Sequence, residues 1–163
     1  MTVALMALAM ASTQGEPSVT LWQNVKAGMT LDQLMAVQPE TVPIPVERKG
    51  YFLGSCAYTS GVVTIVSEAM DVCYKIAEGK VAAVYLHNTK NASQLTYNLI
   101  KPALAAKYGA AVFDKCSPMP MGVMCKAVWR SNGVTITASN TSVVGIISVT
   151  IAYELITPSE DSL

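Results

Sequence analysis

Charge is scarce in this sequence. Lysine, arginine, aspartate and glutamate make up 13% of its 163 residues, against about 25% in ordinary soluble domains. Eleven basic residues cancel eleven acidic ones, so no net field draws the chain toward nucleic acid or an anionic membrane. No apolar run reaches the roughly 18 residues that a membrane-spanning helix needs. Histidine occurs once, as His87, which leaves no imidazole pair for a metal. The chain has no Gly-x-Ser-x-Gly elbow, no phosphate-cradling glycine loop and no His-Glu-x-x-His, the spacings that bring nucleophile, phosphate or zinc chemistry together. The expectation is a protein that is not an enzyme and carries no cofactor. What is abundant is apolar: 52% of the residues are hydrophobic. Burial on that scale offsets the entropy of ordering and excludes a disordered, strongly solvated chain.

The first apolar stretch, Val3 to Ala11, ends in Ala9-Met10-Ala11. That small-x-small ending suits signal peptidase, although the basic residues that normally precede it are missing. Residues 1–11 therefore read as a truncated signal peptide, with an N-terminal core helix as the alternative, and 12–17 as a linker. Export implies a periplasmic or secreted protein. The four cysteines agree with this, since an even number in an exported chain suggests two disulfides. Three pairings are open, and the sequential ones, Cys56–Cys73 and Cys116–Cys125, are expected. Loop entropy gives each about 2.5–3 kcal/mol. Zinc is the rival, but neither spacing is the close Cys-x₂₋₄-Cys of structural zinc. No cysteine precedes Cys56 as a candidate for lipid modification.

Along the chain, residues 18–37 read as helix in two pieces broken at Gly28. Thr30 caps the second piece with Gln33 reaching back, and Leu31, Leu34 and Met35 share a face. Pro39 to Gly50 is a connector. Short β-prone runs follow at Tyr51–Ala57, Val62–Val66, Met70–Ile76 and Val81–Leu86, with Glu78-Gly79 as a turn. A long helix begins after Asn91, its expected cap, and ends at Gly109. Its stripes are Leu95, Leu99, Ala103 and Ala106, and beside them Tyr97, Ile100, Leu104 and Tyr108; Pro102 should kink it. The last block is strand again: Ala111–Lys115, then Lys126–Arg130 and Val134–Ala138 around Asn132-Gly133. Ile147 to Leu155 alternates as a half-buried strand. The fold class expected is α+β, two successive helix-then-antiparallel-sheet units packed as one small domain of about eight strands. Residues 18–157 form that domain, with pseudo-halves 18–90 and 91–157, and 158–163 are a flexible tail.

At Val25-Lys26-Ala27-Gly28-Met29-Thr30-Leu31-Asp32-Gln33-Leu34 the sequence resembles the helix pair that opens two related families. One is the BamE/SmpA outer-membrane assembly lipoproteins; the other is the β-lactamase inhibitory protein family, with its twice-repeated helix–loop–helix and four-stranded sheet. The paired cysteines and two halves lean toward the inhibitor-like branch. The resemblance implies a binding protein without chemistry of its own.

The segment Ser117-Pro118-Met119-Pro120-Met121-Gly122-Val123-Met124 between Cys116 and Cys125 is the unusual feature. Its methionines can cap the core, dock a protein partner from a disulfide-closed loop, or offer thioethers to Cu(I). Trp129, on a hairpin strand, joins the core or an open sheet face. Tyr74 alternates in phase with Met70, Val72 and Ile76 and should be buried, whereas Tyr85 could serve a binding face. His87 reads as a surface or edge residue, and Glu68 and Asp71 as solvated carboxylates on opposite sides of a strand. Asn91 and Asn140 begin Asn-x-Ser/Thr sequons. Together these point to an exported, non-enzymatic protein that binds another protein or an envelope component. Its expected contacts are Met119, Met121, Val123, Met124 and Trp129, and it would be a monomer or weak dimer without a membrane span. The alternative is a periplasmic carrier of Cu(I) or of a small apolar ligand held against Leu95, Leu99 and Ile151.

Overall fold

A computed structural model describes residues 19–45, 47, 56–88 and 92–156. The expected signal peptide, linker, Asn91 cap and tail lie outside those residues. Ten strands and two helices follow in the order β1 (Thr20–Trp22), β2 (Val25–Lys26), α1 (Leu31–Val37), β3 (Val42–Pro43), β4 (Cys56–Ile65), β5 (Glu68–Ala77), β6 (Lys80–Asn88), α2 (Gln94–Tyr108), β7 (Phe113–Met119), β8 (Gly122–Ser131), β9 (Val134–Val143) and β10 (Ile146–Leu155). Strand accounts for 59% and helix for 18% of the described residues. Eight of the strands form one antiparallel sheet in the order β3-β4-β5-β6-β10-β9-β8-β7.

This overturns the α+β expectation of two helix-then-sheet units, for two physical reasons. The first helix piece does not form: Thr20-Leu21-Trp22 is β-prone and pairs with Val25-Lys26 as a small hairpin. And the two meanders do not make separate sheets. β6 and β10 pair along six residues, from Val149 opposite Asn88 to Glu154 opposite Ala83, so each half satisfies the backbone edge that the other would leave open. α2 carries the chain from β6 in mid-sheet to β7 at the far edge.

Where local signals were strong they hold. Thr30 caps α1, its Oγ1 accepting from the Gln33 amide at 3.3 Å while Gln33 Oε1 accepts from the Thr30 amide at 2.9 Å. α2 uses the same device two residues later than expected: Ser93 is the cap and Thr96 the reciprocal partner. The helix runs through the exposed Pro102 to Gly109, whose φ of 85° closes it. Asn132-Gly133 joins β8 to β9 with both φ positive, 49° and 79°, the conformation a two-residue hairpin favours. The expected run Val62–Val66 is not separate from the residues before it: Cys56–Ile65 is one bulged strand, β4.

Strand alternation gives the sheet two unlike faces. On the first lie Met70, Val72, Tyr74, Val84, Leu86, Ala127, Trp129, Ile136, Ala138, Val149, Ile151 and Tyr153, all buried. The β1–β2 hairpin, α1 and α2 cover them; α2 lies over β8, β9 and β10. The Leu95–Leu99 stripe points the other way. Leu95 is 63% exposed and Leu99 faces solvent, while Thr96, Tyr97, Ile100 and Leu104 enter the core. A carrier cavity lined by Leu95, Leu99 and Ile151 is therefore not formed. The second face holds a smaller apolar cluster, Ile44, Cys56, Cys73, Ala83, Tyr85 and Ala152, on its β3–β6–β10 side.

Candidate functional site

Both expected disulfides are present, Cys56–Cys73 and Cys116–Cys125, and such bonds persist in oxidising compartments. The second crosses β7 and β8 between directly opposed residues. The segment between its cysteines is not a loop. β7 continues to Met119, β8 starts at Gly122, and the turn is only Pro120-Met121. Gly122 is required here, because a Cβ would collide with the Ser142 carbonyl of β9. The methionines are not core caps: Met119, Met121 and Met124 are all exposed, as is Val123. They have neighbours of the same kind. The β9–β10 turn Val144-Gly145 sits beside them, its Val144 amide donating to the Met121 carbonyl at 3.2 Å. Met121, Val144 and Ile146 are 65%, 68% and 70% exposed. Two adjacent turns thus gather six exposed apolar side chains at one end of the sheet. Sequence reasoning missed the Val144–Ile146 half, although Val143-Val144-Gly145-Ile146 interrupts the alternation and is the signal that could have flagged it.

Trp129 belongs elsewhere. It is 1% exposed on the covered face, its indole N–H donating to the Gly109 carbonyl at 3.0 Å, and it cannot touch a partner. Tyr74 is buried as expected, hydrogen-bonded to Ser60 at 2.8 Å. Asn140 is also buried, and its Nδ2 donates to Gln94 Oε1 at 2.5 Å, so the folded chain does not offer it as a sequon. Glu68 and Asp71 do face opposite ways. Glu68 accepts from the Thr96 hydroxyl at 2.9 Å, tying α2 to β5, and Asp71 is opposite His87 on the second face.

His87 is neither at the surface nor at an edge. It is buried in the mid-sheet strand β6, with Nδ1 hydrogen-bonded to Thr150 Oγ1 at 2.8 Å. Asp71, His87 and Thr150 form one row across three strands. The row has the residue types of an acid–base–hydroxyl relay, but Thr150 is buried in mid-strand and its hydroxyl is turned to the imidazole. Among the described residues no group of three or more His, Cys, Asp or Glu gathers to hold a metal, and both cysteines near the methionines are in a disulfide rather than available as thiolates. Among the described residues no helix is long and apolar enough to cross a membrane.

Further along the second face, β8 places Lys126, Val128 and Arg130 in a line, with Thr137 and Thr135 of β9 opposite the last two. A hollow of about 330 Å³ opens there, floored by Ala82, Ala83 and the threonines and reaching Lys75 on β5 and Glu154 on β10. Glu154 Oε1 accepts from the Tyr85 hydroxyl at 2.6 Å. Comparison with protein-family models, with curated proteins and with solved structures returned no match.

Proposed function

We propose that this is an exported, non-enzymatic binding protein of the periplasm or the extracellular space, and that it recognises a protein partner through the apolar end of its sheet. One observation carries the reading: Met119, Met121, Val123, Met124, Val144 and Ile146 are exposed together on two turns joined by a backbone hydrogen bond. Exposed apolar side chains gathered at one end of a sheet are less common on monomers than scattered ones and favour an interaction site. Methionine suits it, being adaptable and enriched where proteins meet. The Cys116–Cys125 bridge holds the strands behind the turn and lowers the ordering cost of binding. Val144 adds a second support. A β-branched residue at φ 49° is strained, and such strain concentrates at functional segments.

The test is capture from an envelope extract by the wild type and by the Met119→Ser/Met121→Ser double variant. The wild type should retain one stoichiometric partner, and the variant should lose it with its thermal midpoint unchanged within about 2 °C, as for exposed substitutions. Reductant should weaken capture before it unfolds the protein. A large drop in midpoint would show that the methionines are part of the core after all.

A further inference from the structure

We infer that the open edge of β7 takes up an extended segment of the protein partner as a further strand, and that this segment carries an acidic side chain opposite Lys115. This rests on the apolar end being a partner surface, since β7 runs into that end at Met119. The two outer strands of the eight-stranded sheet are β3 and β7, and they are unlike. β3 is two residues long, whereas β7 has seven, all exposed but Ser117. Register fixes which backbone groups line the open side. The Val112 amide donates to the Val128 carbonyl at 2.8 Å, so Val128 turns its backbone groups toward β7. Alternation from there turns those of Phe113, Lys115, Ser117 and Met119 toward β8, and leaves Asp114, Cys116 and Pro118 facing outward. Asp114 and Cys116 each present an N–H and a C=O, and Pro118 presents a C=O alone. A strand laid antiparallel beside them satisfies each of these groups, which is how strand addition gains affinity.

Charge selects the occupant. Lys115 stands directly opposite Lys126 on the second face. Both are exposed, and neither has an ion pair among the described residues. Like charges so placed destabilise a strand pair. The residue opposite Lys115 on an added strand projects from that same face, so a carboxylate there offsets the repulsion. Lysine and proline on an edge also discourage indiscriminate pairing. A second copy of this chain is a poor occupant. Paired about Lys115 it sets that lysine against its own copy, and paired about Cys116 it brings both Pro118 residues into the ladder, each without a donor. A foreign strand with an acid at that position turns the first obstacle into attraction and meets Pro118 only once. The lysine that attracts this partner thus repels others. On the same face of the added strand, the residue two places after the acid falls opposite Phe113 and the one four places before it opposite Met119. Both are exposed, so apolar residues suit those two positions.

The test uses the full chain with its disulfides intact and two end-capped peptides. One is Leu-Thr-Thr-Thr-Glu-Thr-Phe, which in antiparallel register sets its Glu against Lys115, its Leu against Met119 and its Phe against Phe113; the other has Lys in place of Glu. Amide chemical shifts and hydrogen exchange are followed. The Glu peptide should give saturable shifts centred on Asp114 and Cys116 and should slow exchange of those two amides. The Lys peptide should bind about fivefold more weakly, the scale of a cross-strand charge pair. Lys115→Glu removes the repulsion with Lys126, so it should fold, and it should reverse the order of the two peptides. Neither peptide protecting those amides, while the Met119→Ser/Met121→Ser variant still loses its partner from the extract, would overturn strand addition and leave the apolar end standing. Protection by the Glu peptide that reverses in Lys115→Glu, with capture indifferent to the methionines, would support the edge and reject the apolar end. Equal binding of both peptides, or protection of Asp114 and Cys116 by a second copy in the chain alone, would also overturn strand addition by an acidic segment.

Discussion

Six consecutive residues of β8 hold the contrast that organises this molecule. Cys125, Ala127 and Trp129 are buried beneath α2, while Lys126, Val128 and Arg130 alternate with them on the other side. The backbone is the same and its hydrogen bonds are the same; only the side chains differ. What the difference teaches is that the strand period of two divides one sheet into a face that carries the core and a face that is largely polar. The covered face carries most of the apolar burial and so most of the folding free energy. The second face carries a small apolar cluster near β3–β6 and a hollow lined by Lys75, Lys126, Arg130 and Glu154.

The sharpest way to break that comparison is a pair of truncations one residue apart. Trp129→Ala removes the largest fully buried side chain and strands the Gly109 carbonyl it serves. The expected loss is about 3–5 kcal/mol, the range for a large aromatic in a core. Arg130→Ala on the opposite face should cost about 1 kcal/mol or less, the range for an exposed side chain together with its surface contacts. Chemical denaturation of both variants measures this directly. Comparable losses would mean that the second face is as deeply involved in folding as the first.

The same contrast explains what could be read from the letters. Alternation in Met70–Ile76 and Ile147–Leu155 announced two strands and their buried sides, and Asn132-Gly133 and Thr30/Gln33 announced a turn and a cap, because those signals act within a few residues. Joining β6 to β10 across more than sixty residues leaves no local mark. Neither does the choice between helix and hairpin at Thr20–Lys26, which is decided by the core that Trp22 and Val25 enter. α2 misled in another way. Its apolar residues run almost all round, so periodicity alone did not say that Tyr97 and Ile100, rather than Leu95 and Leu99, face inward. At the site, the Met-rich segment stood out by composition. Its partner turn at Val144 and the Lys126–Val128–Arg130 line became visible only when register placed them beside each other.

Alkali should probe the covered face selectively. Burial raises the Tyr74 phenol, against a smaller lowering by its Ser60 hydrogen bond. Burial, with the Asp114 carboxylate second, pushes Tyr97 up to about 12, and burial and then Tyr108 raise Tyr153. In the unfolded chain these phenols ionise near 10. A raised folded value means that the native state holds the proton that the unfolded state releases. The associated stability is therefore complete below pH 10 and is lost as pH climbs from 10 toward 12. Denaturation midpoints measured across that window should fall, with late phenolate absorbance from these three residues. Tyr97→Phe should flatten the fall and could stabilise the fold at neutral pH, because the Tyr97 hydroxyl is buried without a hydrogen-bond partner among the described residues. A midpoint flat to pH 12 would show that the covered face admits water more freely than its packing implies.

The smallest expected effect separates folding from recognition most cleanly. Val144-Gly145 and Asn132-Gly133 turn the chain with nearly the same angles, φ 49° and 78° against 49° and 79°. Asparagine tolerates the first of these positions, whereas a left-handed L-residue with a branched side chain costs on the order of 1–2 kcal/mol. Val144→Asn gives the β9–β10 turn the residues of the β8–β9 turn and should raise stability by about 1 kcal/mol. If valine is there for the surface it presents, the same variant should capture the partner less well while melting higher. A residue that served folding would do the reverse, and the two outcomes can be read from one thermal melt and one binding assay.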